Sequence, residues 1–304
     1  MKKLIIAAGT GFLGNILIDH LKSKVETIVI LTRGKSRIHK NIKYVQWDAK
    51  TIGLWAQELC GADALINMTG RSVDCRYHHK NKAMILSSRI ESTAVLGKAI
   101  STCTTPPKVW LNSSTATIYR HSLDKEMDEI SGEIGAGFSV SVATSWENTF
   151  FSQQTPHTRK VALRTSIVLG ASGGALPPIL TLVKLGFGGK QGNGNQKFSW
   201  IHEIDFARSI EFIINTTYIE GAINIVSPKP TTNAILMKTL RKVQRIPIGI
   251  PLPTFLIKIG ARIIKTEAEL VLKSRNVIPI RLIESGFQFQ YPTLTNAIQQ
   301  IIQH

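Results

Sequence analysis

The sequence predicts a doubly wound α/β fold, a parallel sheet covered by helices on both faces, followed by a smaller C-terminal α/β lobe. Three observations predict it. Short apolar runs alternate with helical patterns through the first half of the 304 residues. The first run, residues 4–7, leads directly into the small-residue turn Ala8-Gly9-Thr10-Gly11-Phe12-Leu13-Gly14. After about Gly170 the texture changes to glycine and proline punctuation, with Gly173-Gly174, residues 186–194 and residues 228–230.

Taken in order, strands are expected at 4–7, 27–32, 42–46, 64–68, 108–112 and 160–164. Behind the turn, Phe12, Leu13, Ile16, Leu17 and Leu21 make an apolar helical stripe, while Asn15, Asp19, His20 and Lys22 mark the wet side. A long helix before the fifth strand is held on the sheet by Met84, Ile85, Ile90, Ala94, Leu96 and Ile100, and stops before Pro106-Pro107. Another, over about 140–151, carries Trp146 and Phe150, with Trp146 read as core. Residues 1–170 then form a nucleotide-binding domain of Rossmann type, with later returns to the sheet allowed. Residues 171–304 form a substrate lobe whose last part, from about 246, opens with Pro247, Pro251 and Pro253 and continues as short helices.

The turn is where the chemistry starts. Small residues at Ala8, Gly11 and Gly14 let the backbone turn tightly, approach a phosphate and pack the next helix on the strand. The helix N-terminus offers unpaired N–H groups and a partial positive charge to a dinucleotide pyrophosphate. The acid that usually follows about 20 residues on, to bind a ribose 2′-hydroxyl, is missing. Arg33 ends the second strand instead, with Lys35 and Arg37 behind it. A guanidinium there matches a 2′-phosphate, which points to NADP (NADPH) over NAD; the bland alternative is a solvated loop cation.

Composition bounds the rest. With 43% hydrophobic and 19% charged residues the chain is globular, and no apolar stretch reaches the length of a membrane span. Two lysines and a short apolar run at the N-terminus read as the first strand and not as a secretory signal. Cys60, Cys75 and Cys103 are widely spaced and fit neither a disulfide framework nor a metal site, so a cytoplasmic location is expected. The net charge of +17 raises nucleic-acid binding as a function class. The basic clusters at 33–40, 71–82 and 238–245 carry no interleaved aromatics and no nucleic-acid module, so non-specific polyanion binding at low salt is all they imply. The expected partner is a small-molecule substrate, and the expected state monomer or homodimer.

The chain resembles the extended short-chain dehydrogenase/reductase superfamily, and within it the atypical epimerase-like subfamily that ends in a small domain of unknown function. The matching segments are residues 9–14, Leu65-Ile66-Asn67-Met68-Thr69-Gly70, Ser88-Arg89-Ile90, 112–119 and Ser145-Trp146-Glu147. They continue through 164–174, 188–196, Ser199-Trp200-Ile201-His202, 224–230 and 286–291, almost the whole chain. The resemblance implies that Asp48 meets the adenine amino group, that Thr69 and Gly70 border the adenosine, that Ser113 and Ser114 face the nicotinamide, and that Ile167 and Leu169 lie near the carboxamide. It also turns the glycine loop at 186–194 toward the substrate cleft, making Lys190 and Gln196 candidate substrate contacts. Those glycines equally suit simple flexibility.

Catalysis is where the chain departs from its superfamily, which pairs a Ser or Thr after the fifth strand with Tyr-x-x-x-Lys on the next helix. Thr115 can stand as the hydroxyl, but counting back from Glu147 the other two positions fall on Val140 and Thr144, and neither moves a proton at neutral pH. Arg89 likewise stands where many relatives place an asparagine. Tyr119 and His202 are the candidate replacements. Each has a plainer alternative: Tyr119 as pocket lining, His202 as a structural histidine at the lobe junction. Arg164 is expected to hold an anion or to pair with an acid. Three functions remain in play: an NADP-dependent oxidoreductase or epimerase, a non-catalytic NADP-binding redox sensor or regulator and, a distant third, nucleic-acid binding led by the +17 charge. The resemblance ties the sensor or regulator reading to cell or plastid division.

Overall fold

Apolar runs without polar alternation are the pattern of strands buried on both faces, and the computed structural model, which describes residues 1–263 and 267–303, builds them into one large sheet. The first half of the chain forms β1 (Lys3–Ala7), α1 (Phe12–Leu21), β2 (Thr27–Thr32), β3 (Arg37–His39), β4 (Ile42–Gln46), β5 (Ala64–Asn67), α2 (His79–Ser101), β6 (Val109–Thr115), α3 (Phe138–Phe151) and β7 (Arg159–Thr165). The second half adds β8 (Ile167–Leu169), α4 (Leu176–Leu182), β9 (Lys197–Phe198), β10 (Trp200–His202), α5 (Glu203–Asn215), β11 (Gly221–Ile225), β12 (Thr231–Thr232) and α6 (Asn233–Gln244). It ends with α7 (Thr254–Ile263), α8 (Glu269–Leu272), α9 (Ile280–Glu284) and α10 (Leu294–Gln303).

The large sheet runs β11-β7-β6-β5-β1-β2-β4-β3, parallel except for the antiparallel edge strand β3. β1 lies between β2 and β5, in register Ile5↔Val29 and Ile5↔Leu65, so the chain's direction of travel across the sheet reverses there. A crevice opens at such a switch point, outside the carboxyl ends of the strands. Successive side chains point to opposite faces of a strand. Leu4, Ile6, Ile28, Ile30 and Ile66 accordingly pack with Leu17 and Leu21 of α1 and Ile210 and Ile213 of α5. Ile5, Ala7, Val29, Leu31, Leu65 and Trp110 pack on the other face with Leu96 and Ile100 of α2 and Phe150 of α3. Each large side chain buried this way contributes about 1.5–3 kcal/mol. A third cluster holds the C-terminal lobe together: Leu236, Met237 and Leu240 of α6 meet Leu294, Ile298 and Ile301 of α10 over Trp200.

Some expected elements shift. β6 continues past residue 112, because Ser113, Ser114 and Thr115 pair with Leu163, Arg164 and Thr165. β11 returns from the second half to the sheet edge beside β7. Met84, Ile90 and Ala94 of the long helix are only half-buried, whereas Val95 and Ala99 are buried beside Leu96 and Ile100. The reading that the cysteines fit no disulfide framework is corrected: Cys60 and Cys103 are joined as a disulfide with Cα atoms 5.7 Å apart, although 43 residues separate them. The two segments are aligned by the Gly61 N–H donating to the Thr105 carbonyl at 2.7 Å, a proximity that spacing along the chain does not encode. Among the described residues no helix is long and apolar enough to cross a membrane.

Candidate functional site

The carboxyl ends of β1, β5 and β6, the first turn of α1 and the flanks of α2 and α3 enclose a cleft of about 510 Å³. Its floor is the glycine turn. Ala8 adopts a left-handed φ of 60°, and its N–H donates to the Leu31 carbonyl at 2.8 Å, which sets the turn beside the end of β2. A Cβ on Gly14 would stand 2.2 Å from the Gly9 carbonyl oxygen, so only glycine lets α1 sit this close to the turn. A Cβ on Gly11 would meet nothing within 4 Å. No side chain caps α1 and its first turn holds no acid, so its leading N–H groups are left to the cleft.

Gly11, Phe12, Leu13, Gly14, Gly70, Ser113, Ser114 and Thr115 line the cleft, so the structure gathers these expected residues into one place. Gly9, Thr10 and Thr69 adjoin it without lining it; the Thr69 hydroxyl is buried with no partner. Arg33 and Asp48 are exposed, just past the ends of β2 and β4, where the Trp47 N–H donates to the Thr32 carbonyl at 2.9 Å. The Asp48 carboxylate accepts from the Thr51 hydroxyl at 2.6 Å and from the N–H groups of Lys50 and Thr51, and these bonds hold its pKa down at about 2.

Other expected residues are not brought to the cleft. Leu169 is fully buried and paired with His202 between β8 and β10. Ile167 and Gln196 line a separate crevice, where the Gln196 amide donates to the Gln191 carbonyl at 2.9 Å. Lys190 is exposed on the loop before it. His202 is completely buried: Nδ1 accepts from the Ile204 N–H at 3.1 Å, Nε2 lies 2.8 Å from Gln300 Oε1, and the ring stacks on Tyr291 at 4.1 Å. Burial pushes its pKa down, and it is not among the residues that line the cleft. Tyr119 is also buried and outside the lining, its hydroxyl accepting from Arg164 Nη1 at 2.9 Å and donating to Asn224 Oδ1 at 3.0 Å. Of the three candidates read from the sequence, Thr115 alone lines the cleft, its Oγ1 accepting from the Thr117 N–H at 3.1 Å.

α3 turns Phe138, Ser139, Val142, Ala143 and Trp146 toward the cleft, the spacing of one helical face. Val140 and Thr144 are not on that face, and Val140 is buried. The cleft positions one turn apart on α3 are Phe138 with Val142, Ser139 with Ala143 and Val142 with Trp146. None of these residues supplies a phenol or an ammonium. Trp146 is both core and wall, its Nε1 donating to Thr93 Oγ1 at 3.0 Å.

Sequence reasoning missed Tyr77 and Arg275 altogether and gave Arg89 no role at the site. Arg89 lies over the Trp146 ring at 5.0 Å and donates from Nη1 to the carbonyls of Arg71 and Ile85; burial pushes its pKa down to about 10, so it stays charged at neutral pH. Arg275 donates from Nε to Thr117 Oγ1 at 3.1 Å. Tyr77 packs edge-on to Phe138, and burial raises its phenol pKa. No Asp or Glu stands among the described residues lining the cleft. The only sequence signal was the basic run at 71–82, which surrounds Tyr77 but reads as surface charge.

A family model for the NAD dependent epimerase/dehydratase family matches residues 4–225, the segment holding the sheet and nearly all of this cleft. The chain belongs to that family. A second model, a domain of unknown function (DUF1731), matches residues 252–301 and so contributes Arg275. The chain is 31% identical to the epimerase family protein SDR39U1 of Homo sapiens over 307 residues, covering 99% of each. It is 32% identical to the epimerase family protein YfhF of Bacillus subtilis over 300 residues, covering 98% of this chain and 97% of the other. A crystal structure of human SDR39U1 (isoform 2) with NADPH matches with a TM-score of 0.88 at 30% identity, again over 99% of each chain. The resemblance read from the glycine turn and the motifs after it therefore extends through both segments.

Proposed function

We propose that the protein binds NADPH and acts as an NADPH-dependent oxidoreductase or epimerase on a small-molecule substrate. The observation that carries this reading is the uncapped N-terminus of α1 facing the cleft, with open space beside Gly11. A dinucleotide lying along the strand ends would set its pyrophosphate on the N–H groups of α1 and its adenosine over Thr69 and Gly70. Its nicotinamide would point toward Ser113 and Thr115. The unpartnered Thr69 hydroxyl supports the fit, because a buried polar atom calls for a partner. Arg33 would meet the 2′-phosphate, and the NADPH in the human relative's structure supports that choice of cofactor. When bound, NADPH supplies a hydride. Phe12, Met68, Val142 and Trp146 would keep water from it, and Thr115 would hold the substrate oxygen.

The test is calorimetric titration of nucleotide-stripped protein with NADPH, NADP, NADH and NAD. Preference for the phosphorylated pair, lost in Arg33→Glu, is the expected result; no binding by any of the four overturns the reading. Ser139 and Ala143 on the cleft face favour a second reading, a redox sensor that binds NADPH and NADP with different affinities and turns over no substrate. NADPH oxidation during a carbonyl-compound screen separates the two.

A further inference from the structure

Hydride transfer to a carbonyl needs a proton at the oxygen, and the cleft offers hydroxyls from Ser72, Ser113, Ser114, Thr115, Thr117, Ser139 and Tyr77. Ser114 donates to Glu147 Oε1 at 2.6 Å and is committed to that bond. The aliphatic hydroxyls hold their protons far more tightly than a phenol does, and Tyr77 is the one phenol among the described residues that line the cleft. Its backbone is pinned, the N–H donating to Glu267 Oε1 at 2.8 Å while Arg76 pairs with the same carboxylate at 3.1 Å. Its ring rests edge-on against Phe138 at 5.0 Å, and Ser139, the next residue of α3, lines the cleft with it. Two cationic side chains, Arg89 and Arg275, line the same cleft as Tyr77.

We propose that Tyr77, carried on the loop before α2 and held by Glu267 and Phe138, is the proton-transferring residue of this cleft. This rests on the cofactor reading above. Tyr77 gives its O–H proton to the substrate oxygen as hydride from NADPH adds to the carbonyl carbon. The C=O π bond breaks and new C–H and O–H bonds form. The substrate gains an electron pair that NADPH loses, and the phenolate recovers a proton from water. Arg89 and Arg275 stabilise the phenolate while it lasts. The C-terminal segment would thus serve the chemistry twice, through Arg275 and through the hold of Glu267 on the Tyr77 loop.

The experiment is nuclear magnetic resonance titration of protein labelled at the tyrosine ring carbon that bears oxygen. The chain has five tyrosines, and Tyr77→Phe assigns the signal. The groups that act on this phenol are Cys75, Glu267, Glu269, Arg89 and Arg275. Saturation with NADP, whose oxidised ring is positive, lowers the Tyr77 pKa more than NADPH does and leaves the other four tyrosines unmoved. An unchanged Tyr77 titration in a sample that calorimetry shows to be saturated with NADP overturns the proposal and spares the cofactor reading. Absence of NADP binding in that calorimetry overturns both.

Discussion

Arg164 grips Glu147 with two prongs, Nε to Oε1 at 2.9 Å and Nη2 to Oε2 at 2.7 Å, and so ties β7 to α3 beneath the cleft. The same guanidinium donates to the Tyr119 hydroxyl, and Glu147 also accepts from Ser114. Both side chains are about nine-tenths buried, at 12% and 9% exposure. Of the two roles open to Arg164, anion holder or partner of an acid, the structure shows the second. The pair occupies the surface between sheet and helix, where an unpaired charge cannot be hydrated.

Glu147→Ala therefore strands a buried guanidinium and costs about 3–5 kcal/mol, read by urea unfolding. Replacing both residues with methionine recovers most of that loss, because an apolar pair of similar size carries no charge to desolvate. A double variant as unstable as the single one would show that the ion pair itself contributes the stability.

The two inner glycines of the turn separate folding from binding. Gly14→Ala drives a Cβ into the Gly9 backbone at 2.2 Å and lowers the melting temperature sharply. Gly11→Ala meets no protein atom within 4 Å and folds normally, yet it fills space meant for the pyrophosphate. It weakens NADPH by at least about tenfold, equivalent to about 1.4 kcal/mol, in calorimetric titration. Unimpaired NADPH binding by Gly11→Ala would place the pyrophosphate elsewhere.

Asp48 titrates at about 2 in the folded protein because the Thr51 hydroxyl and the neighbouring N–H groups favour its carboxylate. A depressed folded value stabilises the native state above the ordinary value of 3.8, and this contribution is lost as the pH falls through about 2. Thr51→Ala removes the largest cause and moves the Asp48 titration upward, as carboxyl resonances would report. The group is exposed, so the titration is a better readout than the melting temperature.

His202→Ala loses the side-chain acceptor at the start of α5 and leaves a void beside Tyr291. It lowers stability by about 2–4 kcal/mol and keeps NADPH affinity within about twofold, since the ring has no contact with the cleft. A fall in nucleotide affinity at unchanged stability would return His202 to the site.

The run of strands, the turn from Ala8 to Gly14 and the placement of Ser113 to Thr115 were determined by the sequence alone. Strand burial and turn geometry are local, and they leave apolar runs and glycines at fixed spacing. Even the absence of a phenol and an ammonium on α3 was legible, though not the face: whether residue 139 or 140 meets the cleft depends on helix rotation, which packing against α2 and the sheet decides. Burial of His202 and Tyr119, the pairing of Arg164 with Glu147 and the meeting of Cys60 with Cys103 came from tertiary structure only. So did the arrival of Tyr77 and Arg275 at one cleft from segments far apart in the chain. Such contacts depend on how whole elements pack, and a side chain's neighbours across a cleft leave no pattern in its own stretch of sequence.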